Sequence, residues 1–321
     1  MKEKLLSSLD LTNYTKDINK IVDEIIKANP DLKTNAILAQ IKCYSDELPR
    51  YIREYIYEYK LKSKIKVLVF NLSLEQYSFG STPTKIAESF EKETISKIEI
   101  LHCLISSVLG EIFTWSSIQN GNIINEVFPI KENMDKPISS GSNNVFDLHT
   151  EDAFHPFMGE YLSLFCLKNF NNAATILSSF DISEMSEKVI DILFEKRFLI
   201  GPNIAHNVNT QNEKFSILFG NRKFPFLRIN LNNIKVLKND DDARNALDTI
   251  TRVLQENIIK YPMKSGDLMF IDNFRTVHGR DIYYPKYDGT DRWLKRLYIT
   301  NDLKKSSEFK STIDSRIINV R

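Results

Sequence analysis

The feature that most restricts the fold of this chain is a change of texture near residue 115. Before it, apolar residues recur at helical spacings. Ile18, Ile21, Val22, Ile25 and Ile26 fall three and four apart, one face of an amphipathic helix, and Pro30 and Asp31 punctuate it. A second helix is predicted through NAILAQIKCYSDELPRYIREYIYEYKL (35–61), and a buried strand over KIKVLVFNLSL (64–74). Helix-start chemistry follows at Ser81 and Thr82 ahead of Pro83, then a largely apolar helix over ISKIEILHCLISSVLGEIF (95–113). Beyond residue 115, short β-rich runs alternate with polar turns: NIINEVFPI, VFDLHT, YLSLFCLK, AATILSS, FSILFG, FLRINL, DLMFID and WLKRLYIT. Helices interrupt them at 181–198 and 240–261, the second opening on Asp240–Asp242, which suit a helix N-terminus. Many short strands of irregular spacing predict a β-sandwich or jelly roll. The layout is α+β: a mainly helical N-terminal layer (1–114) on a jelly-roll core with helical insertions (115–321), forming one domain over 1–321.

Composition excludes several functions. The net charge is +1 with 26% charged residues, so no global field points to nucleic acid or a membrane surface. The basic stretch Lys60–Lys66 reads as a solvated helix end. Cys43, Cys103 and Cys166 form no CxxC pair, which argues against a disulfide scaffold or a cysteine-ligated zinc site. No apolar run reaches the ~20 residues of a membrane span. The N-terminus has no signal-peptide core, so the cytoplasm is the default compartment.

The chemistry begins at FDLHTEDAFHP (146–156). His149 and Glu151 stand at i and i+2, which on a strand end share one face and can offer two ligands to a divalent metal. A third comes from GDLMFIDNFRTVHGR (266–280), where His278 follows an apolar strand and a polar turn. Two histidines and one carboxylate make the facial triad of non-haem iron(II) oxygenases, which leaves positions open for co-substrate and dioxygen. Arg292, in DRWLKRLYIT, carries a guanidinium fork suited to the distal carboxylate of a 2-oxo diacid, and Arg296 shares its face on a regular strand. HxE alone is a weak signal, and so is a lone downstream histidine. Their combination with Arg292 is strong.

These words, with YLSLFCLKN, ILFGNRKFPFLRIN and YDGTDRWLKRLYIT, resemble the clavaminate synthase-like branch of the iron(II)/2-oxoglutarate oxygenases, beside the arginine and asparagine β-hydroxylases and the lysine hydroxylases. The resemblance spans about residues 105–305. It implies a double-stranded β-helix with flanking helices, iron(II), and 2-oxoglutarate and dioxygen as co-substrates. It further implies iron ligation by His149, Glu151 and His278, and 2-oxoglutarate binding by Arg292 with Thr175. The substrate's carboxylate falls to Arg296, with Gln119, Ser140 and Glu151 around its backbone groups. In arginine-directed members the residues after PFLR are acidic and hold the guanidinium; here Asn230 and Asn232 stand at that substrate-binding place, which weakens the case for arginine and suits a polar neutral or acidic side chain, or a lysine held by other groups. Halogenating members have a small residue in place of the carboxylate, so Glu151 favours hydroxylation. The implied activity is hydroxylation of an unactivated C3 or C4 of a free L-amino acid, with release of succinate and carbon dioxide, in natural-product biosynthesis. Alternatives are desaturation or cyclisation, a carrier-tethered substrate, or a non-catalytic jelly-roll binding protein.

Other conspicuous residues take structural readings. His102 is a core histidine, and His155 sits in a loop past the metal. His206 reads as an exposed loop residue. Trp115 and Trp293 belong to the core. Tyr283, Tyr284 and Tyr287 shape a turn or pack beside the site, while Asp272 and Arg275 brace the loop before His278.

Overall fold

The computed structural model describes residues 4–31, 34–62, 65–85, 94–202, 206 and 213–320. Its main sheet runs in the order β1 (Lys4–Asp10), β2 (Ile65–Asn71), β14 (Asp267–Asp272), β6 (Tyr161–Lys168), β16 (Trp293–Thr300), β3 (Glu111–Trp115), β17 (Ile317–Ile318). β4 (Asn125–Val127) also pairs with β16. Facing it is a smaller antiparallel sheet, β13 (Ile259–Tyr261), β7 (Thr175–Ser178), β15 (Val277–Arg280), β5 (Phe146–His149). A third sheet, β12 (Ile234–Val236), β8 (Phe198–Ile200), β9 (Lys214–Phe215), and a hairpin, β10 (Leu218–Asn221) with β11 (Phe224–Leu227), close one end. Two facing sheets flanked by helices, antiparallel throughout except for the parallel pairs β1–β2 and β17–β3 in the main sheet, are the jelly roll that the strand pattern predicts.

Alternation along the strands builds the layers. In β16, Trp293, Leu297 and Ile299 pack on the helix side, with α1 (Thr15–Ala28), α2 (Thr34–Tyr44) and α4 (Lys97–Ser106). Leu294 and Tyr298 face the space between the sheets with Leu162, Leu164 and Met269. α5 (Glu187–Phe194) and α6 (Asp241–Glu256) cover the outer face of the smaller sheet through Leu193, Ile250, Ile176 and Val277. Both faces of the central strands are therefore buried, which is why they read as nearly continuous apolar runs.

Several expectations need correction. The run 35–61 is two helices, α2 and α3 (Arg50–Lys62), because Leu48 takes an extended backbone before Pro49. Pro49 then opens α3, accepting from the N–H groups of Ile52 and Arg53. The apolar run 95–113 is helical only to Ser106 and becomes β3 at Glu111. Gly110 makes the change possible, since a Cβ there would lie 2.4 Å from the Thr300 carbonyl oxygen. β1 escaped the sequence reading because it is a half-exposed edge strand with weak alternation. Lys66 is buried in β2, donating to Ser179 Oγ and the Phe180 carbonyl, and does not end a solvated helix. The helix expected to start near Ser81 and Thr82 would run into residues 86–93, which lie outside the described residues. Among the described residues no helix is long and apolar enough to cross a membrane.

Candidate active site

β5 ends on His149, and β15 carries His278 directly opposite in antiparallel register. Opposed residues of neighbouring strands share a face, and the two imidazole centroids stand 4.3 Å apart. On its other side His149 pairs through an isolated bridge with Asn230. The strand stops at His149. Glu151 belongs to a turn in which Asp152 adopts a left-handed φ of 54°, so strand alternation does not place this carboxylate. Asn273 does. Its Oδ1 accepts from the Glu151 N–H (2.7 Å), and its Nδ2 donates to the carbonyls of Glu151 (3.1 Å) and Gly159 (2.9 Å). The sequence reading missed Asn273; its one signal was a place inside DNFRTVHGR. Beside it, Arg275 Nε donates to Asp272 Oδ2 at 2.7 Å and Phe274 N–H to Asp272 Oδ1 at 3.1 Å, the bracing the sequence suggested.

His278 Nε2 lies 3.1 Å, and His149 Nε2 3.7 Å, from Glu151 Oε2. One ligand atom from each of the three falls within 4.8 Å of the others, and all three residues are buried. His149 Nδ1 is 2.8 Å from the Asp147 carbonyl oxygen. A carbonyl only accepts, so the proton sits on Nδ1 and Nε2 is left with its lone pair. Burial, with His149 alongside, pulls His278 down to about 4, so the ring is neutral at pH 7. Burial alone would raise Glu151, but the Arg296 guanidinium beside it, with His278, outweighs that and holds the carboxyl well below the usual range. Two imidazoles and one carboxylate form the donor set of a non-haem iron(II) centre. The residues present fit that metal.

A small cavity of about 40 Å³ opens on Glu151, His278, Thr175, Arg280, Arg292 and Arg296. Arg292 and Arg296 reach it from one end of β16, although the register shifts between Trp293 and Leu294. Arg292 is buried, forms no side-chain hydrogen bond or ion pair among the described residues, and is pulled below the usual arginine value by burial. The buried Thr175 Oγ1 has no partner either. An unpaired guanidinium and an unpartnered hydroxyl on one buried cavity are suited to receiving a carboxylate. Arg296 Nη1 is 3.2 Å from Glu151 Oε1, its Nη2 is 3.2 Å from Asn125 Oδ1, and its guanidinium lies 4.9 Å from the Tyr298 ring centroid. Arg280 donates to the carbonyls of Ser142 (3.3 Å), Asn144 (3.1 Å) and Asp281 (2.9 Å), tying the 142–144 loop to β15. A wider groove of about 970 Å³ runs along α1, but it contains none of these residues. Chemistry locates the site; volume does not.

An adjoining cavity of about 20 Å³ is bounded by Ser139, Phe146, Asp152, Phe154, His206 and Asn230 together with His149, Glu151 and Arg296. His206 is buried, contrary to the expectation of an exposed loop residue. Its Nε2 is 2.8 Å from Asp152 Oδ1 and its Nδ1 2.7 Å from Ser117 Oγ, while Trp115 Nε1 donates to Asp152 Oδ2. Asp152, Trp115 and Ser117 gave no sequence signal for this linkage, which joins segments distant in the chain. Three expected substrate residues sit elsewhere. Gln119 spends its amide on the backbone N–H and carbonyl of Glu126. Ser140 Oγ accepts from Asn133, and its neighbour Ser139 faces the cavities. Asn232 is exposed, whereas Asn230 is buried and lines the cavity. His102 is a core histidine, 2.8 Å from Ser163 Oγ, and His155 is buried against Trp115 and Phe309. Tyr283 is buried beneath Arg280 and Tyr284 is exposed. Asp240 caps α6 and pairs with Arg197, away from the site.

Comparison with known proteins agrees with this geometry. The enduracididine beta-hydroxylase of Streptomyces hygroscopicus is 30% identical over 94% of this chain and 96% of its own length. The chain belongs to the clavaminate synthase-like iron(II)/2-oxoglutarate oxygenases. The Taurine catabolism dioxygenase TauD, TfdA family matches residues 202–298 of this oxygenase. The L-ornithine/L-arginine 3-hydroxylase of Catenulispora acidiphila is 30% identical over 84% of the chain and 87% of its own length. The crystal structure of the non-heme iron oxygenase OrfP in complex with Fe and alpha-ketoglutaric acid superposes with a TM-score of 0.90, at 31% identity, over 97% of this oxygenase and 100% of OrfP. Iron(II), 2-oxoglutarate and dioxygen are the cofactor and co-substrates of the family.

Proposed function

We propose that this oxygenase, acting as one domain over residues 1–321, hydroxylates an unactivated side-chain carbon, C3 or C4, of a free L-amino acid. The observation that carries the reading is one cavity onto which Glu151, His278, Arg292 and Arg296 all open. His149, Glu151 and His278 would hold iron(II). Arg292, with the Thr175 hydroxyl, would hold the distal carboxylate of 2-oxoglutarate. With dioxygen, these groups supply oxidation of a C–H bond and release succinate and carbon dioxide.

The chain's own residues do the rest. Arg296 offers a fixed cation to the substrate's carboxylate, and its bond to Asn125 sets the direction of its fork. Asn273 fixes the Glu151 turn, and the Asp147 carbonyl fixes the His149 tautomer. The apolar walls Leu162, Leu164, Val127 and Leu294 exclude water, and a substrate tethered at one end presents the same carbon to the centre each time. A carrier-bound amino acid would leave Arg296 without a carboxylate. The relatives' hydroxylation of amino acids and the intact carboxylate at Glu151 favour hydroxylation over the alternatives. The sparse, unpaired cysteines fit a cytoplasmic enzyme. Succinate release dependent on iron(II) and one amino acid, with gain of one oxygen by mass, tests the reading. Succinate release unaffected by every free amino acid would refute it.

A further inference from the structure

The distal cavity carries a consequence for the substrate's side chain, resting on the amino-acid hydroxylase reading above. Asn230 sits directly opposite His149 across an antiparallel bridge, so its side chain shares the face of that imidazole and lines the cavity. Its Oδ1 accepts from the Asn232 N–H at 3.1 Å. A backbone N–H can only donate, so this bond fixes the amide's orientation and turns the NH₂ group outward. That NH₂ has no acceptor among the described residues, although Asn230 is only 7% exposed. The cavity wall thus presents a donor that needs an acceptor.

The one carboxylate on this wall besides Glu151 is Asp152, and both of its oxygens already accept, from Trp115 and His206. His206 has both nitrogens engaged, with Asp152 and Ser117. Arg296 is the fixed cation on the same cavity. Among the described residues, an ammonium or guanidinium entering here would meet an outward NH₂, a neighbouring cation and no free carboxylate, and would lose its hydration without replacement.

We propose that the substrate's side chain ends in a neutral acceptor-bearing group, a carboxamide or ureido carbonyl that receives the Asn230 NH₂. The test uses the full chain with iron(II) and 2-oxoglutarate. kcat/KM is compared for citrulline and glutamine against arginine, ornithine and lysine, and anaerobic calorimetry measures binding of the same amino acids without turnover. A neutral member should lead by about tenfold or more in both measurements. Asn230→Asp keeps an oxygen for the Asn232 N–H and replaces the NH₂ by a carboxylate. It should move the arginine-to-citrulline ratio at least about tenfold toward arginine. A wild-type preference for arginine, ornithine or lysine overturns the inference and leaves the hydroxylase reading standing. An unmoved ratio in Asn230→Asp removes Asn230 from the contact and overturns it equally. Should that variant fail to fold, the wild-type comparison decides alone. If no amino acid binds or releases succinate, the hydroxylase reading fails and takes this inference with it.

Discussion

His278 lies directly across the β5–β15 ladder from His149, and the register of that one strand pair sets the distance between the two imidazoles. A slip of one residue would turn one ring to the outer face, against α5 and α6. The centre is therefore a property of sheet pairing.

Gly279, next to His278, lets the two strands approach. A Cβ there would stand 2.3 Å from the Phe146 carbonyl oxygen. Gly279→Ala should destabilise the protein by about 1–3 kcal/mol and weaken iron(II) binding, read by denaturant melts and by calorimetry. Wild-type values for both would show that the pairing has slack.

His278→Ala removes a ligand and should abolish iron(II) binding by calorimetry. Turnover should fall by more than the roughly 10–100-fold that follows loss of a ligand's supporting partner. Retained turnover would exclude the assignment.

Asn273→Ala leaves all three ligands in place but frees the Glu151 turn. Iron(II) affinity or activity should drop about 10–100-fold, with a stability loss of about 1–3 kcal/mol for the buried backbone groups left unpaired. A variant with unchanged affinity would mean that the turn holds itself.

Arg292 and Arg296 should separate kinetically. Arg292→Gln should chiefly raise the KM for 2-oxoglutarate, and Arg296→Gln chiefly that for the amino acid, each by about tenfold or more. If both variants moved the same KM, the two roles would be wrongly divided.

His102 gives a pH signature independent of the metal. Burial, with Lys295 adding to it, lowers its pKa to about 3. Above its ordinary value near 6.5 the ring is neutral whether folded or unfolded. Between 6.5 and 3 only the unfolded chain takes up the proton, so stability falls with falling pH by about 1.4 kcal/mol per unit. Denaturant melts from pH 7.5 to 5 should show this extra slope in the wild type and not in His102→Gln. Equal slopes would show that the buried ring protonates in place.

The legibility of the site follows from the chemistry of each residue. His149, Glu151, His278 and Arg292 stand out in the sequence because few side chains can ligate iron or fork onto a carboxylate, and their order along the chain repeats a recognisable motif. Asn273 and Asp152 were not, since an amide or carboxylate in a turn has many commonplace uses. The burial of His206 depends on partners drawn from Trp115–Ser117 and Asp152, which no local pattern links to it. Among the elements, the strands of the jelly roll stood out by composition. The break at Pro49 and the helix-to-strand change at Gly110 were obscured by apolar runs continuing through them.

The sequence by itself determined the donor types, the alternating apolar strands and an arginine able to answer a carboxylate, because these rest on what each side chain can do. Only the tertiary structure decided which of these groups meet. It bent Glu151 onto His278 through a turn held by Asn273, spent the Gln119 amide on Glu126, and turned the Asn230 amide toward the cavity. Such outcomes depend on hydrogen bonds between residues far apart in the chain, and those form only when packing brings the segments together.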